Sequence, residues 1–230
     1  MKASTRAVFR NARPTSRQTM KVSARALAAI ALAVLFVILG SALESRSTTV
    51  DSGTQAASKS MEAKMQVLGS KDPRPASYQA VVITTHEANS YLIVHSGEFL
   101  PPGVGTPSIT VQPEHAVAAG DVDFEKLSRL YPNPNDMGPK VLAAMFPGTQ
   151  HVTITAKIQS ESAGVLVQIE SVVVGGTTVP KWLVDYIIEK VLQPKYHFDL
   201  SKPFPYPDHV TRIVLGSGQT TFLRGPTKRP

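Results

Sequence analysis

The stretch Ser171–Leu192, SVVVGGTTVPKWLVDYIIEKVL, restricts the fold more than any other part of the chain. It reads as a strand end, a Gly-Gly turn, a short strand, a proline and a helix. Gly175 and Gly176 can take positive φ without steric cost, which suits a tight hairpin turn. Pro180 stands at the helix start, where its missing N–H leaves no bond unmade. Within the helix Lys181, Asp185, Glu189 and Gln193 recur every four residues as one narrow polar stripe. Nearly every other position is apolar, including Trp182, Leu183, Val184, Tyr186, Ile187, Ile188, Val191 and Leu192. A helix lying on a protein surface usually keeps a narrower apolar face than this. The expectation is a helix enclosed by strands on both sides.

The flanking sequence supplies those strands. SYQAVVITT is β-branched and reads as a strand. Thr84 and Glu87 then have capping-box spacing, so a helix begins there, with Ala88, Tyr91 and Leu92 inward. PSITVQP and HAVAAGDVDF follow as a strand pair. The second of them does not alternate cleanly through Val117, Ala119 and Val122, and Gly120 suggests a bulge. Phe124–Leu130 and Met137–Phe146 are short helical candidates. HVTITAKI places Val152, Ile154, Ala156 and Ile158 on one face, and GVLVQIESVVV is its hairpin partner. TRIVLG and QTTFLR form a last hairpin over Ser217–Gly218. Short hairpin connections imply antiparallel pairing, so the class is α+β with antiparallel strands around one main helix.

Net charge is +7, from 24 Lys and Arg against 17 Asp and Glu. Lys2, Arg6, Arg10, Arg13, Arg17, Lys21 and Arg25 precede the first acid, Glu44. Removing those seven leaves 24 − 7 = 17 basic residues against 17 acidic ones. The remainder is neutral and carries no basic patch for nucleic acid, which is not expected as a partner. Residues 1–25 read as a basic cytoplasmic tail. Ala26–Leu43 is free of charge and close to the shortest length that spans a bilayer as a helix. With the basic side retained inside, this is a single-pass inner-membrane helix that places the C-terminal domain outside, in the periplasm of a diderm cell. A cleaved signal peptide is the competing reading, and it exports the same residues. Residues 44–75 read as a polar linker of about 30 Å reach, although Ser60–Leu68 has the composition of a short helix. The folded domain is expected over 76–224, with 225–230 as a frayed tail.

Reactive chemistry finds little support. The chain has no cysteine, hence no thiolate nucleophile and no Cys metal site. The six histidines, at 86, 95, 115, 151, 197 and 209, lack the spacing of a helical metal pair. There is no nucleophile elbow and no phosphate-cradling glycine loop. Asp121, Asp123 and Glu125 read as a solvated strand end. Glu87 is expected to close the capping box and Asn89 to bond a neighbouring strand or loop; a shared contact at a groove mouth is the functional alternative. Trp182, the sole tryptophan, fits a core, a groove rim or a membrane interface. The chain thus reads as a binding protein rather than an enzyme, without cofactor or metal.

Several of these segments, in order, resemble a known group. VITTHEANSYL (Val82–Leu92), GDVDF (Gly120–Phe124), the hairpin 151–174, VGGTTVP (Val174–Pro180) and PFPYPDHVTRIVL (Pro203–Leu215) are similar to small membrane-anchored extracytoplasmic bacterial domains of the tubular lipid-binding (TULIP-like) type. The resemblance covers roughly residues 76–224. It implies a long bent sheet around a helix, able to enclose an apolar groove, with membrane and lipid as candidate partners. Together with the broad apolar face of the helix, it nominates Leu183, Tyr186, Ile187, Val191, Tyr91, Val167 and Ile169 as groove lining. The alternative is an envelope structural or interaction protein with a filled core and no ligand.

Overall fold

A computed structural model describes residues 51–70, 77–100, 103–129, 137–193, 199–207 and 209–226. The expected basic tail and membrane segment lie outside these residues. No helix among the described residues is long and apolar enough to cross a membrane. The architecture is mixed α+β, and every strand pairing is antiparallel.

The first element corrects the linker. Ser52–Leu68 (α1) is a 17-residue helix. Asp51 caps it by accepting from the N–H of Gly53 (2.9 Å) and of Thr54 (3.0 Å). Its buried face is Ser58, Met61, Met65 and Leu68. Those steps of three, four and three keep one side of a helix against the core. The stretch is polar on average, yet its few apolar residues are in register. The other boundary shifts as well. Gly225, expected in the frayed tail, is buried and donates to the carbonyl of His209 at 3.1 Å. A Cβ at Gly225 would meet the Tyr78 ring at 2.3 Å.

Gln79–Thr84 (β1) leads into the helix Thr85–Val94 (α2) and the single turn Ser96–Phe99 (α3). Val104–Gln112 (β2) and His115–Asp123 (β3) form a hairpin, followed by Phe124–Arg129 (α4) and Met137–Met145 (α5). Thr149–Ser160 (β4), Val165–Val174 (β5) and the two-residue Thr177–Thr178 (β6) come next. Lys181–Ile187 (α6) continues as a π-helix over Ile188–Leu192. Val210–Gly216 (β7) and Gln219–Arg224 (β8) close the described chain. The strands divide into two sheets, β1-β8-β7 and β2-β3-β4-β5-β6, rather than one bent sheet.

Two strand details differ from the sequence expectation. In β3 the inward residues are Ala116, Ala118, Gly120 and Val122, in clean alternation. The irregularity falls instead on the partner, between Gly105 and Ser108 of β2. A Cβ at Gly120 would lie 3.1 Å from the Gly105 carbonyl oxygen, so the glycine admits its neighbour's bulge. In β5, Glu170 falls between Ile169, opposite Ala156, and Ser171, opposite Thr155. This extra residue moves the buried side from Val165 and Val167 to Val174.

The helix at 181–192 is not enclosed. Leu183 is buried, but Trp182 is 70 % exposed and Tyr186 42 % exposed. The Gly-Gly turn forms as expected, with φ of 56° and 81°. It returns only the two residues of β6, too short a strand to cover the helix. The interior is instead built from α1, α2 and the inner faces of both sheets, with Leu68, Ile83, Ile154, Val167 and Phe222 in one apolar cluster.

Replacing Leu68, which is fully buried, by Ala should cost about 2–5 kcal/mol. Ser58 is 1 % exposed and its hydroxyl has no partner among the described residues, so Ser58→Ala should stabilise by about 1 kcal/mol. Urea denaturation of the two variants checks both signs. Two unchanged midpoints would mean that α1 does not pack on the domain.

Candidate functional site

The densest polar arrangement grows from Thr84–Asn89. Thr84 ends β1 in extended geometry, and its hydroxyl accepts from the Glu87 N–H at 3.1 Å. Glu87 reciprocates, accepting from the Thr84 N–H at 2.9 Å and hydroxyl at 3.1 Å. This is the complete capping box that the spacing predicts. The other carboxylate oxygen reaches α1, taking hydrogen bonds from the Ser60 hydroxyl and the Lys64 ammonium, both at 2.6 Å. Burial alone would push the Glu87 carboxyl up. Lys64, Ser60 and the Thr84 groups outweigh it and hold the pKa at about 2.

Asn89 lies two residues further on, about half a turn round α2. Its amide nitrogen donates to the Ile109 carbonyl at 2.9 Å, and its oxygen accepts from the Ile109 N–H at 2.6 Å. The side chain therefore pairs with β2 as a neighbouring strand would, satisfying both backbone groups of one edge residue. The next carbonyl of that edge, Val111, accepts from Gly218 N–H at 2.9 Å, and Gly218 oxygen accepts from Thr85 N–H at 2.8 Å. The β7–β8 turn thus links the edge of the five-stranded sheet to the start of α2. A second clasp joins α1 to the end of α2: His95 lies 2.7 Å from Glu62 and 2.9 Å from Glu98, with its ring 4.4 Å from that of Tyr91. These contacts give Glu87 and Asn89 structural roles, as expected, rather than a place at a groove mouth.

Beneath α1 lies an apolar cavity of about 30 Å³. Met61, Met65 and Leu68 of α1 face Ile83, Ile109 and Phe222 across it. That is room for a water or two and not for an acyl chain. Of the seven nominated lining residues, the six whose side chains are described do not border it. Tyr91, Val167 and Leu183 are buried in the main apolar cluster, and Ile169 and Ile187 pack against its rim. The structure thus brings five of them into one core as packing. Tyr186 stands outside on the exposed side of α6, and the Val191 side chain lies outside the described residues. Burial, then the Glu98 and Glu62 carboxylates, raise the pKa of the Tyr91 phenol.

The acids and remaining histidines are spread out. Asp121 accepts from the Thr106 hydroxyl and lies 2.9 Å from His151, all on the surface. Asp123 accepts from the Lys126 N–H at the start of α4. His115 lies 3.4 Å from Glu170. Among the described residues no three acids or histidines are placed so that they could hold a metal ion. The sequence reading missed the three α1 side chains over the cavity. Their signal was the 58, 61, 65, 68 spacing behind a capping Asp51.

Because the folded pKa of Glu87 is depressed from 4.5 to about 2, its stabilising effect is complete above the unfolded value and is lost as pH falls from about 4.5 towards 2. Glu87→Gln should therefore flatten the acid limb of the stability profile between those values and cost about 1–3 kcal/mol at pH 7. Thermal midpoints measured from pH 2 to 7 test this; parallel profiles for both proteins would refute it. No protein-family model matches this chain, and no curated protein matches it.

Proposed function

We propose that the chain is a membrane-tethered extracytoplasmic protein of the cell envelope that works as an interaction domain, with a core that is filled among the described residues. The observation that carries this reading is the cavity beneath α1, about 30 Å³. Sites that take lipids or other drug-sized apolar ligands usually measure about 300–1,000 Å³. Three of the side chains expected to line such a groove, Tyr91, Val167 and Leu183, are at most 8 % exposed and serve as packing. The tether is Ala26–Leu43, with the basic tail inside and the domain outside. Helix α1 belongs to the domain, so the free connection shrinks from 44–75 to residues 44–50.

A second reading, binding of lipid or another apolar ligand, is favoured by the walls of the same cavity. Unbranched Met61 and Met65 can repack around an incoming chain. The TULIP-like resemblance supports it too. Native mass spectrometry of gently purified full chain, followed by titration with a fluorescent phospholipid, separates the two. The expected outcome is a ligand-free mass and no saturable uptake; a co-purifying lipid with saturable uptake would establish the second reading instead.

The side of the membrane has its own test. Alkaline phosphatase fused after residue 50 should be active and green fluorescent protein at the same point dark. The reverse pattern would place the domain in the cytoplasm.

A further inference from the structure

We propose that α6 is a membrane-docking face: Trp182 and Tyr186 insert into the interfacial layer of the bilayer that tethers the chain. The proposal rests on the tether described above.

The first observation is the placement of the two aromatics. They stand four residues apart on one helix, so they are neighbours on its surface. Trp182 is 70 % exposed and Tyr186 42 % exposed, while Leu183, on the flank of the helix turned to the core, is buried. The core therefore holds the helix by one side and leaves its aromatic side to solvent. The Lys181–Asp185 ion pair, at 2.7 and 2.8 Å, runs alongside them as a parallel row on the exposed surface. Lys190 follows in the π-helix and is also exposed. An amphipathic ring with a wet polar edge beside lysine ammonium groups matches the headgroup layer, which accepts apolar ring faces and satisfies the indole N–H and phenol O–H together.

The second observation is the length of the connection. The apolar segment ends at Leu43, and the capping residue of α1 is Asp51. The intervening residues 44–50 reach at most about 25 Å when fully extended. A domain of this size is roughly 30–40 Å across. It cannot move far from the lipid surface, and rotation about the tether brings to that surface every face except those farthest from Asp51. Tethering also makes docking intramolecular, so an interfacial affinity too weak to recruit a free protein suffices here. A second protein would have to diffuse in, whereas the bilayer is always within reach.

Trp182 is the only tryptophan, so intrinsic fluorescence reports this one position. The full chain is reconstituted into phosphatidylcholine–phosphatidylglycerol vesicles, with and without brominated acyl chains, and recovered by flotation. The expected result is blue-shifted emission, acrylamide quenching several-fold weaker than for N-acetyltryptophanamide, and strong quenching by the brominated lipid. Tyr186→Ser, an exposed substitution that leaves the core intact, should reverse part of each change. A chain that floats with its tryptophan fully open to acrylamide and untouched by bromine overturns the docking and leaves the tether standing. Protection from acrylamide without bromolipid quenching means a protein contact, and also overturns it. A chain that does not float removes the tether and the docking together.

Discussion

The Glu87 carboxylate is the contact on which the rest of this domain depends. One oxygen closes the capping box with Thr84, and the other accepts from Ser60 and Lys64 of α1. A single side chain thereby fixes where β1 stops, where α2 starts and how α1 lies across both. The ionised form is the one that accepts all four hydrogen bonds, which is why they overcome the cost of burying it. Without this clasp α1 would be held mainly by Met61, Met65, Leu68 and the His95 contacts.

Asn89 and Gly218 extend the same logic from the helices to the sheets. The edge of a five-stranded sheet carries unpaired backbone groups that invite another chain. Here the Asn89 amide takes both groups of Ile109, and the N–H of Gly218 takes the Val111 carbonyl. The edge is closed by one side chain and one turn. At the other end, the Ser160 hydroxyl accepts from Ile213 N–H at 3.2 Å and meets the Tyr206 hydroxyl, tying β4 to β7 and to the proline-rich connection. The two sheets share a core because these polar seams hold their ends together.

The local chemistry was legible in the sequence. The capping box, the Gly-Gly turn, the Ser217–Gly218 hairpin and the alternating face of β4 all follow from spacing. What stayed hidden depended on partners distant in the chain. Stretch 52–68 is polar on average, and only its Met and Leu spacing betrays a packed helix. The broad apolar face of 181–192 suggested enclosure, but the strand directly after the turn, β6, has only two residues and leaves Trp182 exposed. Two strand irregularities were misplaced or missed because a bulge is set by the opposing backbone, as the Gly105 carbonyl over Gly120 illustrates. The nominated groove residues were mostly core residues, since hydrophobicity alone does not distinguish a wall from a filling.

The pairing of β1 with β8 has a consequence for how the molecule is made. Gln79 lies opposite Arg224 and Thr84 opposite Gln219, so the first strand of the domain waits for the last. Nearly the whole domain separates them, and such distant pairings close late and slowly. A ribosome must have passed Arg224 before β1 has its whole neighbour. Until then α1, β1 and α2 lack the Gly218 turn and the floor under Met61 and Met65. A chain secreted during synthesis would emerge with its N-terminal third unfinished, and final assembly would be set by the arrival of the C-terminal hairpin.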